Sequence, residues 1–267
     1  MTPDLRLVAV DLDGTLLDAQ GAVPDRLWPL LDAMHERGIL FVPASGRQYA
    51  TLRHLFARAA DGMPFIAENG TYVVRDEVEI SSTPLEAHAV HAVVAALRDT
   101  SADYGVVVTG RDRAWVTRTD AAFLAEVAKY YIEHEVVADF GAVAGRAIKI
   151  AVFCFGDAET EIAPALASFR GSHQVVVSGA NWVDVMDARA DKGEALRALQ
   201  RAFGILPAQT AAFGDYLNDV QMLQAADWSY AMDNAHPDVK AVARRIAPHH
   251  HDEGVVEVLA ELLGVEV

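Results

Sequence analysis

One stretch near the start of the chain limits the folds open to it. Leu5 to Val10 is an apolar run interrupted only by Arg6, and it is closed by Asp11-Leu12-Asp13-Gly14-Thr15. A short apolar run that ends in a turn signal reads as a buried strand of a parallel sheet. Parallel strands need crossover connections, so the chain must be α/β, and ligands of such sheets bind beyond the carboxyl ends of the strands. Residues two apart on an extended chain can face one crevice, which places Asp11 and Asp13 where chemistry is expected. Two carboxylates this close repel. Either a cation lies between them or one keeps a proton. A hard ion such as Mg²⁺ suits carboxylate and carbonyl oxygens, and a second acid beside a reacting oxygen can donate and accept protons. A solvated acidic turn carries the same short pattern, so the rest of the chain must decide.

The next segments extend the parallel layer. Leu27, Leu30, Leu31 and Met34 recur at helical spacing behind Pro24 and Asp25, and Gly38 stops the helix. Ile39 to Val42 reads as a second buried strand, closed by Pro43-Ala44-Ser45-Gly46-Arg47. Strand, helix, strand is a βαβ unit, which brings Ser45 to the same sheet edge as Asp11. Ser45 suits both the N-cap of the next helix and an oxyanion ligand, because these use the same corner. Phe65 to Ala67, Glu68-Asn69-Gly70 and Thr71 to Val74 read as a hairpin, and the turn carries no further signal.

From about Thr83 the pattern changes. Helices are expected at Leu85–Leu97, Ala121–Tyr131 and Glu159–Arg170. Strands are expected at Val106–Val108, Ala114–Val116, Ile148–Phe155, Val175–Val177 and Trp182–Val185. Hairpins at both ends imply a largely antiparallel α+β layer. The expected division is a core of residues 1–83 and 188–267, with 84–187 inserted. A length of 267 residues fits two domains or one domain with a large insertion. Asp191-Lys192-Gly193 then opens a helix with Leu196, Leu199 and Phe203 facing the core. A lysine in a first turn opposes the helix dipole, so Lys192 either reaches solvent or answers a strong negative charge. Thr210 to Phe213 is a strand that ends in Gly214-Asp215-Tyr216-Leu217-Asn218-Asp219. Helix capping would account for Asp215 and Asp219 as well as a ligand role does. Further on come the strand Trp228–Met232, a helix after Asn234-Ala235-His236-Pro237, and a last helix from Gly254 to Leu263.

The balance of charge narrows the partners. With 22 basic and 38 acidic residues the net charge is −16, which argues against nucleic acid and anionic membranes. An anionic substrate must therefore be captured by local positive groups. A lone cysteine, Cys154, fits a reducing cytoplasm and reads as a small core residue. There is no signal-peptide pattern and no apolar run of membrane-spanning length. His249-His250-His251 reads as a solvated loop. Together the strand ends offer Asp11, Asp13, Ser45, Asp215, Asn218 and Asp219, with Lys192 close by. Carboxylates bind a divalent ion, while Ser45, Lys192 and Asn218 hold phosphoryl oxygens. One carboxylate is left to attack phosphorus through an aspartyl-phosphate. No P-loop, H-E-x-x-H motif or G-x-S-x-G elbow competes with this assignment.

Asp11-Leu12-Asp13-Gly14-Thr15, Ser45-Gly46-Arg47, Lys192-Gly193 and Gly214-Asp215 to Asp219 resemble, in order, the four signature blocks of the haloacid dehalogenase-like (HAD) hydrolases. Glu68-Asn69-Gly70, Asn234-Ala235 and the position of the insert resemble the Cof-type, class IIB branch. Met232-Asp233-Asn234-Ala235 and His250-His251-Asp252-Glu253-Gly254-Val255 depart from that branch's usual loops, outside the four blocks. The resemblance implies a Rossmann-like parallel-sheet core carrying an inserted α+β cap of C2 type. It implies Asp11 as nucleophile and Mg²⁺ ligand, and Asp13 as general acid/base whose carbonyl also meets the metal. Ser45, Gly46 and Lys192 would bind phosphate, and Lys192 would also neutralise the nucleophile. Asp215 would be a metal ligand, Asn218 would orient the site, and Asp219 would support the metal's waters or Lys192.

The function expected is a cytoplasmic Mg²⁺-dependent phosphatase of a small phosphorylated metabolite, a sugar phosphate first, with no nucleic acid, membrane or protein partner implied. Arg47 is the expected substrate contact from the core, and Asn181 with Trp182 from the cap. One alternative is a phosphotransferase or mutase, which needs a second anion site on the cap, for which Arg111, Arg113 and Arg118 are candidates. Another is a phospho-accepting receiver domain, against which Asp13 and the large insert both argue.

Overall fold

The computed structural model describes residues 4–266, so the outermost limits expected from the sequence, 1 and 267, lie outside it. In chain order the main elements begin with β1 (Leu7–Val10), α1 (Leu27–Glu36), β2 (Leu40–Pro43), α2 (Tyr49–Leu55), β3 (Pro64–Ala67), β4 (Tyr72–Arg75) and β5 (Val78–Ser82). Then come α3 (Ala87–Ala96), β6 (Tyr104–Thr109), β7 (Ala114–Val116), α4 (Ala121–Tyr130), β8 (His134–Val136), β9 (Lys149–Cys154), α5 (Ala158–Glu161), β10 (His173–Gly179) and β11 (Trp182–Asp187). The chain closes with α6 (Lys192–Phe203), β12 (Thr210–Gly214), α7 (Val220–Gln224), β13 (Trp228–Met232), α8 (Pro237–Val242), β14 (Arg245–Ala247) and α9 (Gly254–Leu263). Two compact units result. One holds residues up to 45, 52–81 and from 191 onward; the other holds 46–51 and 82–190.

The first unit is built on a parallel sheet in the order β14-β13-β12-β1-β2. Every residue of β1 is buried, as an apolar strand between two helical layers must be. Val10 pairs with Pro43 on one side and with Phe213 on the other. This register brings the residues after β1, β2 and β12 to a common edge. Leu27, Leu30, Leu31 and Met34 of α1 are buried as the periodicity predicts, each contributing about 1.5–3 kcal/mol of apolar burial. In α6 Leu196 and Leu199 are buried, but Phe203 is half-buried and the Arg75 guanidinium covers its ring. β3 and β4 form the expected antiparallel hairpin, and β5 adds a third strand. An isolated bridge between Ala44 and Ile66 ties this small sheet to the end of β2.

The second unit carries a six-stranded sheet in the order β10-β11-β9-β6-β7-β8. Its pairings are antiparallel except β7 with β8. Alternation splits its core in two. Val106, Val108, Ile150 and Val152 pack with α3 on one face, while Val107, Ala151 and Phe153 pack with Phe123 and Val127 of α4 on the other. Cys154 is buried in the first cluster. The long helix expected over Glu159–Arg170 is absent. α5 stops at Glu161, and a 3-10 turn at Ala167–Gly171 follows. Pro164 explains this: it has no N–H to give, and its ring collides with the carbonyl four residues back. His249-His250-His251 is not a fully solvated loop either. His249 and His250 are partly buried, and the three rings pack at centroid distances of 3.9–4.9 Å.

Candidate active site

Asp11 is the first residue past β1. Its N–H still donates to Phe213 O at 3.0 Å, so the sheet ladder fixes its backbone. The chain then folds into a tight turn over Leu12–Leu16, in which Gly14 has φ +82°. Only glycine fits there, because a Cβ would lie 2.4 Å from Asp215 Oδ2. β12 delivers Asp215 to the same place. Its carboxylate accepts from the Thr15 hydroxyl at 3.3 Å, and Asn234 Nδ2, which donates to Gly14 O at 2.7 Å, lies 3.5 Å from its other oxygen.

Lys192 resolves the choice that its position left open. The residue is 1% exposed, and its ammonium donates to Asp11 Oδ1 at 2.6 Å and to Asp219 Oδ1 at 2.7 Å. The other oxygen of Asp219 accepts from the N–H groups of Asp215 and Tyr216, at 3.0 and 3.3 Å. Asp219 is wholly buried and fully committed. Asp13, by contrast, is exposed, and its charge is felt at Asp215. Ser45 is buried at the end of β2, where its N–H donates to Ile66 O at 2.9 Å. Asn218 Nδ2 donates to Asn69 Oδ1 at 3.2 Å.

The electrostatics follow from counting charges. One ammonium serves a group of carboxylates. Burial is the largest influence on Lys192 and pushes it down, but Asp11 and Asp219 together outweigh it and hold Lys192 above its ordinary range. Asp11 stays in net-negative surroundings: burial, then the Asp219 charge, raise it well above the carboxylate range against the pull of Lys192. Burial and then Asp219 likewise push Asp215 up to about 7. One oxygen from each of Asp11, Asp215 and Asp219 lies within 4.8 Å of the others. Hard oxygen donors with uncompensated negative charge fit a divalent cation such as Mg²⁺. Asp11 and Asp215 are the better donors, since both oxygens of Asp219 are already engaged.

The other site residues singled out in the sequence belong to the second unit. Gly46 and Arg47 belong to the second unit, where Gly46 O accepts from Lys149 Nζ at 2.8 Å and the Arg47 guanidinium sits 5.4 Å from the Tyr130 ring centre. The Asn181 amide nitrogen donates to Cys154 O and Gly156 O at 3.0 and 2.8 Å, holding the turn before β11. Trp182 is buried among Tyr130, Tyr131 and Phe153. Arg113 pairs with Asp112 and Glu135, Arg118 with Asp103 and Asp120, and Arg111 donates to Ser82 Oγ. Each of the three is thus engaged by polar groups of its own unit. Sequence reasoning assigns no site role to Thr15 or Asn69. Thr15 carries a signal as part of the Asp-Gly-Thr turn; the side-chain bond of Asn69 to Asn218 carries none.

A parallel sheet whose strand ends gather acids around one buried lysine defines a phosphoryl-transfer type of site. Residues 8–259 match the family model described as haloacid dehalogenase-like hydrolase, and the chain belongs to that family, as a phosphatase of its Cof-type branch. It is 31% identical to 5-amino-6-(5-phospho-D-ribitylamino)uracil phosphatase YbjI of Escherichia coli K12, over 97% of this chain and 96% of that one. It is 30% identical to the HMP-PP phosphatase of Cronobacter sakazakii, over 88% of this chain and 87% of that one. Among solved structures, SMU.1108c of Streptococcus mutans superposes with a TM-score of 0.86 at 25% identity, covering 97% of this chain and 99% of that one. No helix among the described residues is long and apolar enough to cross a membrane.

Proposed function

We propose that this enzyme is a Mg²⁺-dependent phosphatase acting on a small phosphorylated metabolite, a sugar phosphate or a phosphorylated sugar-derived alcohol, in the cytoplasm. The observation that carries the reading is the buried ammonium of Lys192 held between Asp11 and Asp219. Asp11 Oδ1 is engaged by Lys192, which supports Oδ2 as the attacking oxygen. The Asp11 oxygen forms a bond to phosphorus as the bond from phosphorus to the ester oxygen breaks. Asp13 gives its proton to the departing oxygen, then takes one from the water that cleaves the aspartyl-phosphate. Free phosphate leaves and Asp11 is restored. Asp11, Asp215 and the Asp13 carbonyl would hold Mg²⁺, which when bound neutralises charge on the phosphoryl oxygens. Asp219 orients Lys192, and Ser45 with Asn218 binds the transferring group. Residues 84–187 would act as a cap that keeps bulk water from the intermediate. The name of the Escherichia coli relative describes a phosphate on a ribityl chain, which supports the substrate class. The test is phosphate release from a panel of phosphorylated metabolites, with Mg²⁺ and with chelator. Metal-dependent release concentrated on sugar or polyol phosphates is expected, and Asp11→Asn should abolish it without unfolding the chain. Near-normal turnover by Asp11→Asn would overturn the assignment.

A further inference from the structure

The loop Glu68-Asn69-Gly70 is unusual for a hairpin connection. A four-residue hairpin loop is most often built around a type I turn, which needs no positive φ. Here three consecutive residues are left-handed, with φ of +52°, +58° and +96°. Two of them carry side chains, and such backbone is unfavourable for any residue with a Cβ. Hairpin loops are also normally exposed, yet Glu68 is 1% and Asn69 3% exposed. Strain of this kind persists where surrounding contacts fix it, and it clusters at functional sites.

The contacts that fix this loop lead to the active site from three sides. Asn69 N–H donates to Ser45 O at 2.9 Å. Asn69 Oδ1 accepts from Asn218 Nδ2 at 3.2 Å. Gly70 packs so closely on the start of α6 that a Cβ would lie 2.4 Å from Asp191 O and 2.9 Å from Lys192 N. Behind the loop, the N–H and hydroxyl of buried Thr71 donate to Glu68 O at 3.3 and 3.1 Å. The loop therefore touches the backbone of Ser45, the side chain of Asn218 and the backbone of Lys192, which come from three separate elements.

Resting on the phosphatase reading, we infer that Asn69 is a positioning residue: it aims the Asn218 amide and holds the Ser45 peptide, so that the phosphoryl ligands are set before substrate arrives. Asn tolerates the left-handed region and carries an acceptor oxygen, and the position requires both.

Asn69→Gly separates these two roles, since it keeps the backbone conformation and removes the acceptor. Expected is an increase of about five- to tenfold in both KM and the inhibition constant of inorganic phosphate, the scale of one lost hydrogen bond. The melting temperature should stay close to wild type. Asn218→Ala, which also removes the phosphoryl contact itself, should have at least the effect of Asn69→Gly, and the double variant should be no worse than Asn218→Ala alone. Calorimetric titration of inorganic phosphate with Mg²⁺ present gives the same comparison without turnover. Wild-type constants in Asn69→Gly, or effects that multiply in the double variant, would overturn the inference alone. A wild-type protein that neither releases nor binds phosphate would overturn the phosphatase reading and this inference with it.

Discussion

Replacing Asp215 with asparagine tests the electrostatic argument at its most quantitative point. Without metal, burial and the Asp219 charge push Asp215 up to about 7 from 3.8. The folded chain then keeps a proton on Asp215 that the unfolded chain releases. A carboxyl raised in this way contributes its full stability below pH 3.8 and loses it as pH rises through 7. At about 1.4 kcal/mol per pH unit, the loss between pH 5 and pH 7 is on the order of 3 kcal/mol. The amide in Asp215→Asn cannot titrate, and its oxygen still suits the Thr15 hydroxyl. Urea unfolding in chelator from pH 5 to 8 should therefore show wild type losing about 3 kcal/mol relative to Asp215→Asn. Adding Mg²⁺ at pH 8 should restore wild type and leave the variant unchanged, because only wild type has the carboxylate to offer. Parallel pH profiles of the two proteins in chelator, or equal stabilisation of both by Mg²⁺, would refute the reasoning.

Lys192→Met should abolish turnover and destabilise the chain by about 3–5 kcal/mol, because it leaves buried carboxylates without their cation; steady-state kinetics and urea midpoints read both effects, and Lys192→Arg should fail to rescue turnover because the fork is too large for a fully buried site. Asn181→Ala should lower stability by about 1–3 kcal/mol through two carbonyls left without their donor, with kcat/KM unchanged. A raised KM at wild-type stability would instead mark Asn181 as a substrate contact.

The legibility of each feature in the sequence has a physical cause. β1, β2 and β12 are short apolar runs buried on both faces, so composition alone marks them, and the strand-end rule then brings Asp11, Ser45 and Asp215 together. α1 is legible because one face repeats without interruption. β8 and β14 are not, since three-residue strands of mixed polarity such as His134–Val136 and Arg245–Ala247 have no period to detect. The helix expected over Glu159–Arg170 fails because periodicity cannot outweigh Pro164. Asn181 shows another limit: a turn asparagine looks the same in sequence whether it faces a ligand or ties its own backbone. Asn69 looks like an ordinary Asn-Gly turn, since neither burial nor the identity of a partner 149 residues away is written locally.

The charge of the chain constrains the order of events at this site. A phosphate monoester brings two negative charges to a protein of net charge −16, and to a site where Asp11, Asp13, Asp215 and Asp219 face one lysine. At about 4 Å each like-charge pair in a partly buried site opposes binding by roughly 4 kcal/mol at an effective dielectric of 20, and Lys192 can offset only part of that total. Lys192 is moreover already engaged by two carboxylates, so it has little left to give an incoming dianion until a divalent cation takes its share of Asp11. Cation before substrate is then the expected order, since a bound cation shifts the local field in favour of phosphate. Calorimetric titration of inorganic phosphate should accordingly give no measurable heat in chelator and clear binding once Mg²⁺ is added, with Mg²⁺ itself binding whether or not phosphate is present. Equal phosphate affinity with and without metal would mean that capture relies on groups outside this cluster.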